Sequence, residues 1–196
     1  MRVRPLQASD VDVLAVVLGR AFDDDPLFRA ILPDAEHRRR ALPVLFGEWM
    51  RLLHLREPGS FVTDTLDGAA LWSSPGRWAI GLTTLARMGP RTLAALGTRT
   101  IAGLRVLHAV ESPHPKEPPH HYLRVLGCDP DRQGRGIGSR LLEPTLAACD
   151  TRGEGAYLES SNEKNHAFYR RHGFEIRAEV VTHLGARAWL MWRKPR

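Results

Sequence analysis

Between Leu126 and Ser139 the chain reads Leu-Gly-Cys-Asp-Pro-Asp-Arg-Gln-Gly-Arg-Gly-Ile-Gly-Ser, with glycines alternating at Gly134, Gly136 and Gly138. An apolar strand-like run, Tyr122 to Cys128, leads in, and a helix-like run, Gly136 to Asp150, leads out. The first N–H groups of a helix have no intrahelical acceptor and stand at the positive end of its dipole. Glycines let a phosphate reach those groups without meeting a Cβ. Arg132, Arg135 and Arg140 add cations around the turn. The chemistry offered here is anion binding, in a geometry that suits a pyrophosphate.

Two familiar phosphate loops do not fit. A P-loop needs a Lys directly after its last glycine, and none follows here. The dinucleotide fingerprint Gly-x-Gly-x-x-Gly would put its third glycine at Leu141 or Ser139, although Glu159 does supply an acid about 20 residues on. A plain strand-to-helix turn would need only one glycine. Elsewhere, Asp23-Asp24-Asp25-Pro26 is an acidic turn between two helical runs. His120 and His121 open the strand, but neighbouring strand residues face opposite ways and cannot share one ion, so no metal is expected.

The pattern Gln133-x-x-Gly136-x-Gly138, after a strand and a short Asp-Pro loop, resembles the acyl-CoA signature of the GNAT superfamily of N-acetyltransferases. A second block follows in the same order as in that superfamily: Tyr157-Leu-Glu-Ser-Ser-Asn162, Asn165-His-Ala-Phe-Tyr169 and His172-Gly-Phe174. Within the superfamily, His114-Pro-Lys-Glu-Pro118, Pro144, Leu158-Glu159 and Trp192-Arg-Lys-Pro195 resemble the puromycin N-acetyltransferases. That likeness is good over residues 110–196 and looser before them.

The resemblance implies one α/β domain over residues 1–196, with a mixed, twisted and splayed β-sheet, helices on both faces and acetyl-CoA in the splay. It implies direct acetyl transfer to a primary amine of a small molecule, an antibiotic of the puromycin type among the candidates. Protein N-terminal or lysine acetylation, and a non-catalytic CoA-binding module, stay open as alternatives. By position, Leu126, Gly127 and Cys128 would pair with the pantetheine arm and polarise the thioester. Gln133, Gly134, Arg135, Gly136, Ile137, Gly138 and Ser139 would hold the pyrophosphate. Asn162 and Asn165 would contact the pantetheine arm, and Tyr169 matches the tyrosine that protonates the departing coenzyme A. A phenol ordinarily titrates above a thiol, a gap that a cationic neighbour or the helix can narrow by lowering the phenol's pKa. Tyr122 stands where some members carry a glutamate base, a departure that implies a base elsewhere or a water relay. Glu159, whose strand adjoins the cofactor strand in the family, is the best carboxylate for the amine proton. Asp24, Asp25 and Tyr122 are expected at the acceptor pocket, the acids attracting a cationic amine.

Composition narrows the partners. A formal charge of +6 and a pI of about 10.0 raise nucleic acid as a ligand, but the cations are scattered arginines without interleaved aromatics. An anionic cofactor is the more economical use. No apolar run approaches the ~18 residues of a membrane span, and Met1-Arg-Val-Arg-Pro lacks the apolar segment of a secretion signal. Cys128 and Cys149 read as buried small hydrophobes rather than a disulfide. A cytoplasmic monomer or homodimer is expected.

The elements that must position these groups follow from periodicity and breakers. Val3-Arg-Pro5 reads as a short strand. Ser9 reads as the N-cap of a helix to about Phe22, with Val13, Leu14, Val17, Leu18 and Ala21 at helical spacing. Leu27 to Leu32 and Ala35 to Arg56 read as helices, with Phe46, Trp49 and Met50 in the core. Ser60 to Asp64 and Gly68 to Trp72 read as a hairpin. Trp78 to Leu107 reads as short helices broken at Gly89-Pro90 and around Gly97 and Gly103, and Glu111 to Pro119 as a Pro-rich connection. Pro144 is expected to kink the helix after the glycine turn. A strand Ala156 to Ser160, a helix capped by Ser161 or Asn162 and stopped by Gly173, and strands Phe174 to Leu184 and Arg187 to Lys194 complete the chain.

Overall fold

The computed structural model covers residues 1–196. Its strands are β1 (Val3–Pro5), β2 (Phe61–Thr63), β3 (Gly68–Ser73), β4 (His120–Cys128), β5 (Gly155–Ser160), β6 (Glu175–Val181) and β7 (Arg187–Arg193). They form one seven-stranded sheet in the order β1-β2-β3-β4-β5-β7-β6, with β4 and β5 as its parallel pair. The helices are α1 (Val11–Ala21), α2 (Pro26–Ile31), α3 (Ala35–Trp49), α4 (Leu82–Leu96), α5 (Thr100–Glu111), α6 (Ile137–Arg152) and α7 (His166–Arg171). Two apolar clusters flank the sheet. One gathers Leu14, Leu18, Leu42 and Phe46 with Leu71 and Val125, and the other gathers Leu141, Leu142 and Cys149 with Trp72, Leu123 and Leu158. No helix is long and apolar enough to cross a membrane.

The sheet divides at its centre. β4 pairs with β5 only from His120↔Gly155 to Leu123↔Leu158. On its other side β4 stays paired with β3 to its end, but the register shifts between Leu71↔Val125 and Trp72↔Leu123. Arg124 is the extra residue of this β-bulge, and a bulge bends its strand and increases the local twist. It also resets the alternation, so Arg124 and Val125 both face the α5 side. The outer half of β4, Val125 to Cys128, thereby leaves β5 and opens a cleft.

The turn between α1 and α2 is tied to both lips of that cleft. Arg20 pairs with Asp129 at 2.8 Å and Asp131 at 2.7 Å, just past β4. Asp25 accepts a hydrogen bond from the Ser161 hydroxyl, just past β5. α1 lies close against β4 at Gly127, where an added Cβ would stand 2.8 Å from Leu18 and 2.9 Å from Phe22.

Several local expectations are corrected. Ser9 is not the cap: a 3-10 turn, Ala8–Asp10, precedes α1, and the Asp10 carboxylate accepts from the Gln7 N–H and from Arg4. The helix expected to reach Arg56 is α3 followed by a π-helical turn, Met50–His54. α4 is continuous through Gly89-Pro90, because Leu85, Met88, Thr92 and Leu96 keep helical spacing toward a common cavity. Gly97, with φ of 53°, does end it. α5 runs through Gly103, where Leu96 and Ile31 pack closely.

The C-terminal end of α6 is anchored to β7 by Arg193, a buried guanidinium that reaches Asp150 at 2.8 and 2.7 Å. Arg193, together with the Arg196 N–H, holds the Asp150 carboxyl below its ordinary value of 3.8. A depressed native pKa stabilises the fold above the unfolded pKa and ceases to do so as pH falls through the native value. Asp150→Asn should therefore destabilise the protein by about 1.5–3 kcal/mol at pH 7. The difference from wild type should shrink when both are melted well below the unfolded carboxyl pKa. An undiminished difference in acid would contradict the ion-pair account.

Candidate active site

The glycine turn is built as an open cradle. Gly134 and Gly136 both have φ of 76°, and a Cβ at either would meet nothing within 4 Å. Gly136 is the N-cap residue of α6, and no side chain caps this helix end. The N–H groups of Ile137, Gly138 and Ser139 thus point out of the first turn without intrahelical acceptors. Gly138 is needed for a different reason: a Cβ there would lie 3.1 Å from the Phe168 ring of α7. Arg132 and Arg135 are exposed and make no ion pair, as is Gln133. Ile137 is buried in the core, and the Ser139 hydroxyl lies 3.0 Å from His172 Nε2. Unpartnered donors, unpaired cations and open space fit the diphosphate of an acyl-CoA.

Leu126, Gly127 and Cys128 lie on the part of β4 that has left β5, so their β5-side backbone groups face the cleft. Burial and the carboxylates of Asp67 and Asp129 raise the Cys128 thiol, and burial pushes Cys149 up to about 11. Both cysteines are free. Asn162 caps the 3-10 turn Glu163–Asn165, accepting from Lys164 N–H at 3.1 Å, and Asn165 is exposed at the start of α7. Ser161 is spent on Asp25 instead of on a helix cap.

On the α5 side of the cleft lies a cavity of about 420 Å³. Its wall is mostly apolar, from Phe22, Phe28, Phe46, Trp49, Met88 and Leu96 among others. Its charged groups, with Tyr122 and Ser161, are concentrated where β4 and β5 part: Asp25, Glu111, Arg124 and Glu159. Thr92 and Thr100 add hydroxyls from α4 and α5. Arg124 is 4 % exposed, pairs with Glu111 at 2.8 Å and donates to the Trp78 carbonyl, and its Nε has no partner. Glu159 is 6 % exposed, and its Oε1 makes no hydrogen bond. Burial and the nearby Glu159 raise both the Tyr122 and Tyr157 phenols.

The three acids of the turn have separate employment. Asp23 binds Arg38 and Arg39, each at 3.0 Å. Asp24, expected in the acceptor pocket, has a side chain 95 % exposed and is absent from the cavity wall. Asp25 lines the cavity but also caps α2, accepting from Leu27 and Phe28 N–H at 3.0 and 3.2 Å. Burial raises its pKa, against the pull of those bonds and of Ser161.

Tyr169 sits in α7 and packs with Phe168 and Phe174 in the α6-side cluster. Glu159 shares the opposite face of β5 with Tyr157, so the two expected proton-transfer groups stand on opposite faces of the sheet at the parting. Neither a cationic neighbour nor the helix lowers the Tyr169 pKa. Burial raises it, and the Asp25 carboxylate raises it further. Arg124, Glu111 and Ser161 line the cavity and were missed by sequence reasoning. The one available signal was Arg124, a lone cation in an apolar strand that must find a buried counter-charge.

A cleft between parting strands, with an anion cradle on one side and a cavity with buried carboxylates on the other, defines an acyl-CoA-dependent transferase. The chain belongs to the acetyltransferase (GNAT) family, whose sequence profile matches residues 48–174. It is an acyltransferase of the N-acetyltransferase kind, and its family draws acetyl groups from acetyl-CoA. An N-acetyltransferase of Schizosaccharomyces pombe is 26% identical over 190 residues, covering 92% of this chain and 76% of that protein. The N-alpha-acetyltransferase RimI of Mycobacterium tuberculosis is 39% identical over 84 residues, 40% of this chain and 52% of RimI. A crystal structure from Corynebacterium glutamicum, described as histone acetyltransferase HPA2 and related acetyltransferase, superposes with a TM-score of 0.71. It is 25% identical, and the match covers 99% of this chain and 96% of that one.

Gly136→Asp tests the cradle. The new Cβ enters empty space, so the cost to the fold is the left-handed backbone alone, about 1 kcal/mol. The carboxylate repels phosphate at the helix start. Calorimetry should find acetyl-CoA binding lost while thermal melting changes little; retained affinity would remove the cradle from the site.

Proposed function

We propose that residues 1–196 act as one acetyltransferase domain that transfers acetyl from acetyl-CoA to the primary amine of an apolar small molecule. The observation that carries this reading is the cavity: its walls are mostly aromatic and aliphatic, and its charged groups meet where the strands part. An amine on an aromatic body, as in antibiotics of the puromycin type, fits that polarity. An extended peptide would bring backbone N–H and C=O groups that these walls leave unpaired. Protein N-terminal acetylation, the activity named for RimI, is therefore the second reading.

Bound acetyl-CoA supplies an activated thioester, and this chain's residues do the rest. The β5-side backbone of Leu126 to Cys128 orients the acyl arm, and the N–H groups of the glycine turn with Arg132 and Arg135 hold its phosphates. The acceptor amine enters from the cavity face, where Glu159 receives its proton. Tyr169, on the other face, donates a proton to the departing sulfur. Its raised pKa does not disqualify it. The apolar surroundings that disfavour a phenolate disfavour a thiolate too, and only the difference between them opposes the transfer.

Thiol release across a panel of amines tests the reading. Amines with aromatic or branched apolar bodies should be acetylated in preference to peptides. Preference for peptide N-termini would favour the second reading, and no turnover of any amine would reject both. With the best amine, Tyr169→Phe should lower kcat by about 10²–10⁴-fold and leave CoA affinity unchanged. A wild-type rate would return Tyr169 to packing. Asp24→Asn should leave the acceptor KM unchanged at low salt, where distant charge acts most strongly. A raised KM would restore the exposed acid to the acceptor site.

A further inference from the structure

His114 is buried in the Pro-rich connection, three residues past the end of α5, and its surroundings fix where its protons are. Its ring stacks on Trp78 at 4.0 Å, and Tyr122 and Tyr157 meet it edge-on at 4.8 and 4.6 Å. The charged and titratable groups facing it are His120 and Tyr122 from β4 and Tyr157 and Glu159 from β5, with the Arg124–Glu111 pair beyond Tyr122.

The tautomers follow from one fixed acceptor. The Pro118 carbonyl lies 2.8 Å from His120 Nδ1. A carbonyl only accepts, so His120 carries its proton on Nδ1. Burial holds the His120 pKa below the ordinary value, which keeps the ring neutral and its Nε2 an acceptor. His114 Nε2 is 3.0 Å from that atom and must therefore carry the His114 proton. The Nδ1 of neutral His114 is left with a lone pair. It stands 3.4 Å from Glu159 Oε1, and neither atom has a hydrogen-bond partner. Two buried acceptors face each other, an arrangement that one added proton relieves.

We propose that His114 and Glu159 form a proton-sharing pair that deprotonates the acceptor ammonium, with His120 and the Pro118 carbonyl fixing the His114 tautomer. This rests on the reading of the cavity as the acceptor site. An ammonium beside the proton-free pair and a free amine beside the protonated pair are one complex with the proton in two places. The facing lone pairs favour the second, which is the nucleophilic one. No bond to carbon changes in this step: one N–H bond of the ammonium breaks, and one bond to hydrogen forms at Glu159 Oε1 or His114 Nδ1. The proton leaves to solvent after turnover. His114 acts through Glu159 and is a positioning residue.

His114→Gln keeps a hydrogen-bonding side chain but cannot hold the proton. It should lower kcat by about 10²-fold, leave the acceptor KM within about twofold and move the acid limb of kcat/KM to lower pH. A wild-type kcat and a wild-type acid limb would overturn the proposal. A second measurement needs neither turnover nor that variant. In protein with ¹⁵N-labelled histidine, His114 should be protonated on Nε2 when neutral, and Glu159→Gln should shift its titration to lower pH. A neutral His114 protonated on Nδ1, or a titration indifferent to Glu159→Gln, would overturn the pair. If the spectra agree but no amine is acetylated, the pair stands and the reading of the cavity falls.

Discussion

Beyond Leu123↔Leu158, β4 has no hydrogen-bonding neighbour on its β5 side, although β3 stays paired with it to Cys128. A strand can leave one neighbour and keep the other only if it bends, and the bulge at Arg124 supplies the bend. The rest of the site depends on that constraint. The parted backbone offers unpaired groups to an extended ligand, which would otherwise be a buried deficit. The reset alternation sends Arg124 and Val125 to the same face and Leu126 to the other. The α1–α2 turn then straddles the gap, tied to one lip through Arg20 and to the other through Asp25.

The two faces of the sheet carry different chemistry. The α6 face holds the glycine cradle, the α7 helix and Tyr169. The α5 face holds an apolar cavity whose few polar groups crowd its inner end. Arg124 is the cation among them, and its pairing with Glu111 leaves Glu159 without a strong direct counter-charge. A carboxylate so placed lacks a partner where unpaired charge is costly, which suits the binding of an ammonium. The opening is shared, so Glu159 on one face and Tyr169 on the other stand at the same parting of the strands.

The parts legible in the sequence were those governed by local spacing. The glycine turn, the apolar run of β4, the α6 stripe and the order of Glu159, Asn162 and Tyr169 can be read residue by residue, and with them the mixed sheet and the family. The bulge could not be read, because register is a property of two strands and Arg124 looks like any interrupted apolar run. Within residues 78–107 the break expected at Gly97 is present, but those expected at Gly89-Pro90 and Gly103 are not: Gly89-Pro90 is a strong local signal, overridden by a cavity-facing row that continues across it. The acidic turn shows the same limit. Asp23, Asp24 and Asp25 are equivalent in sequence, and only the tertiary placement of Arg38, solvent and Ser161 separates them. His114 belongs to the run that resembles the puromycin acetyltransferases, but that run does not say where its ring lies; its neighbours His120 and Glu159 come from β4 and β5.

The central claim is that the cleft opened by the bulge receives the acyl-CoA. Amide hydrogen exchange with and without a non-hydrolysable acetyl-CoA analogue tests it directly. Protection should rise at residues 125–128 of β4 and at 134–139 of the glycine turn. The amides of residues 120–123, already paired with β5, should not change. Protection confined to other elements, or an unchanged pattern at saturating analogue, would contradict the account.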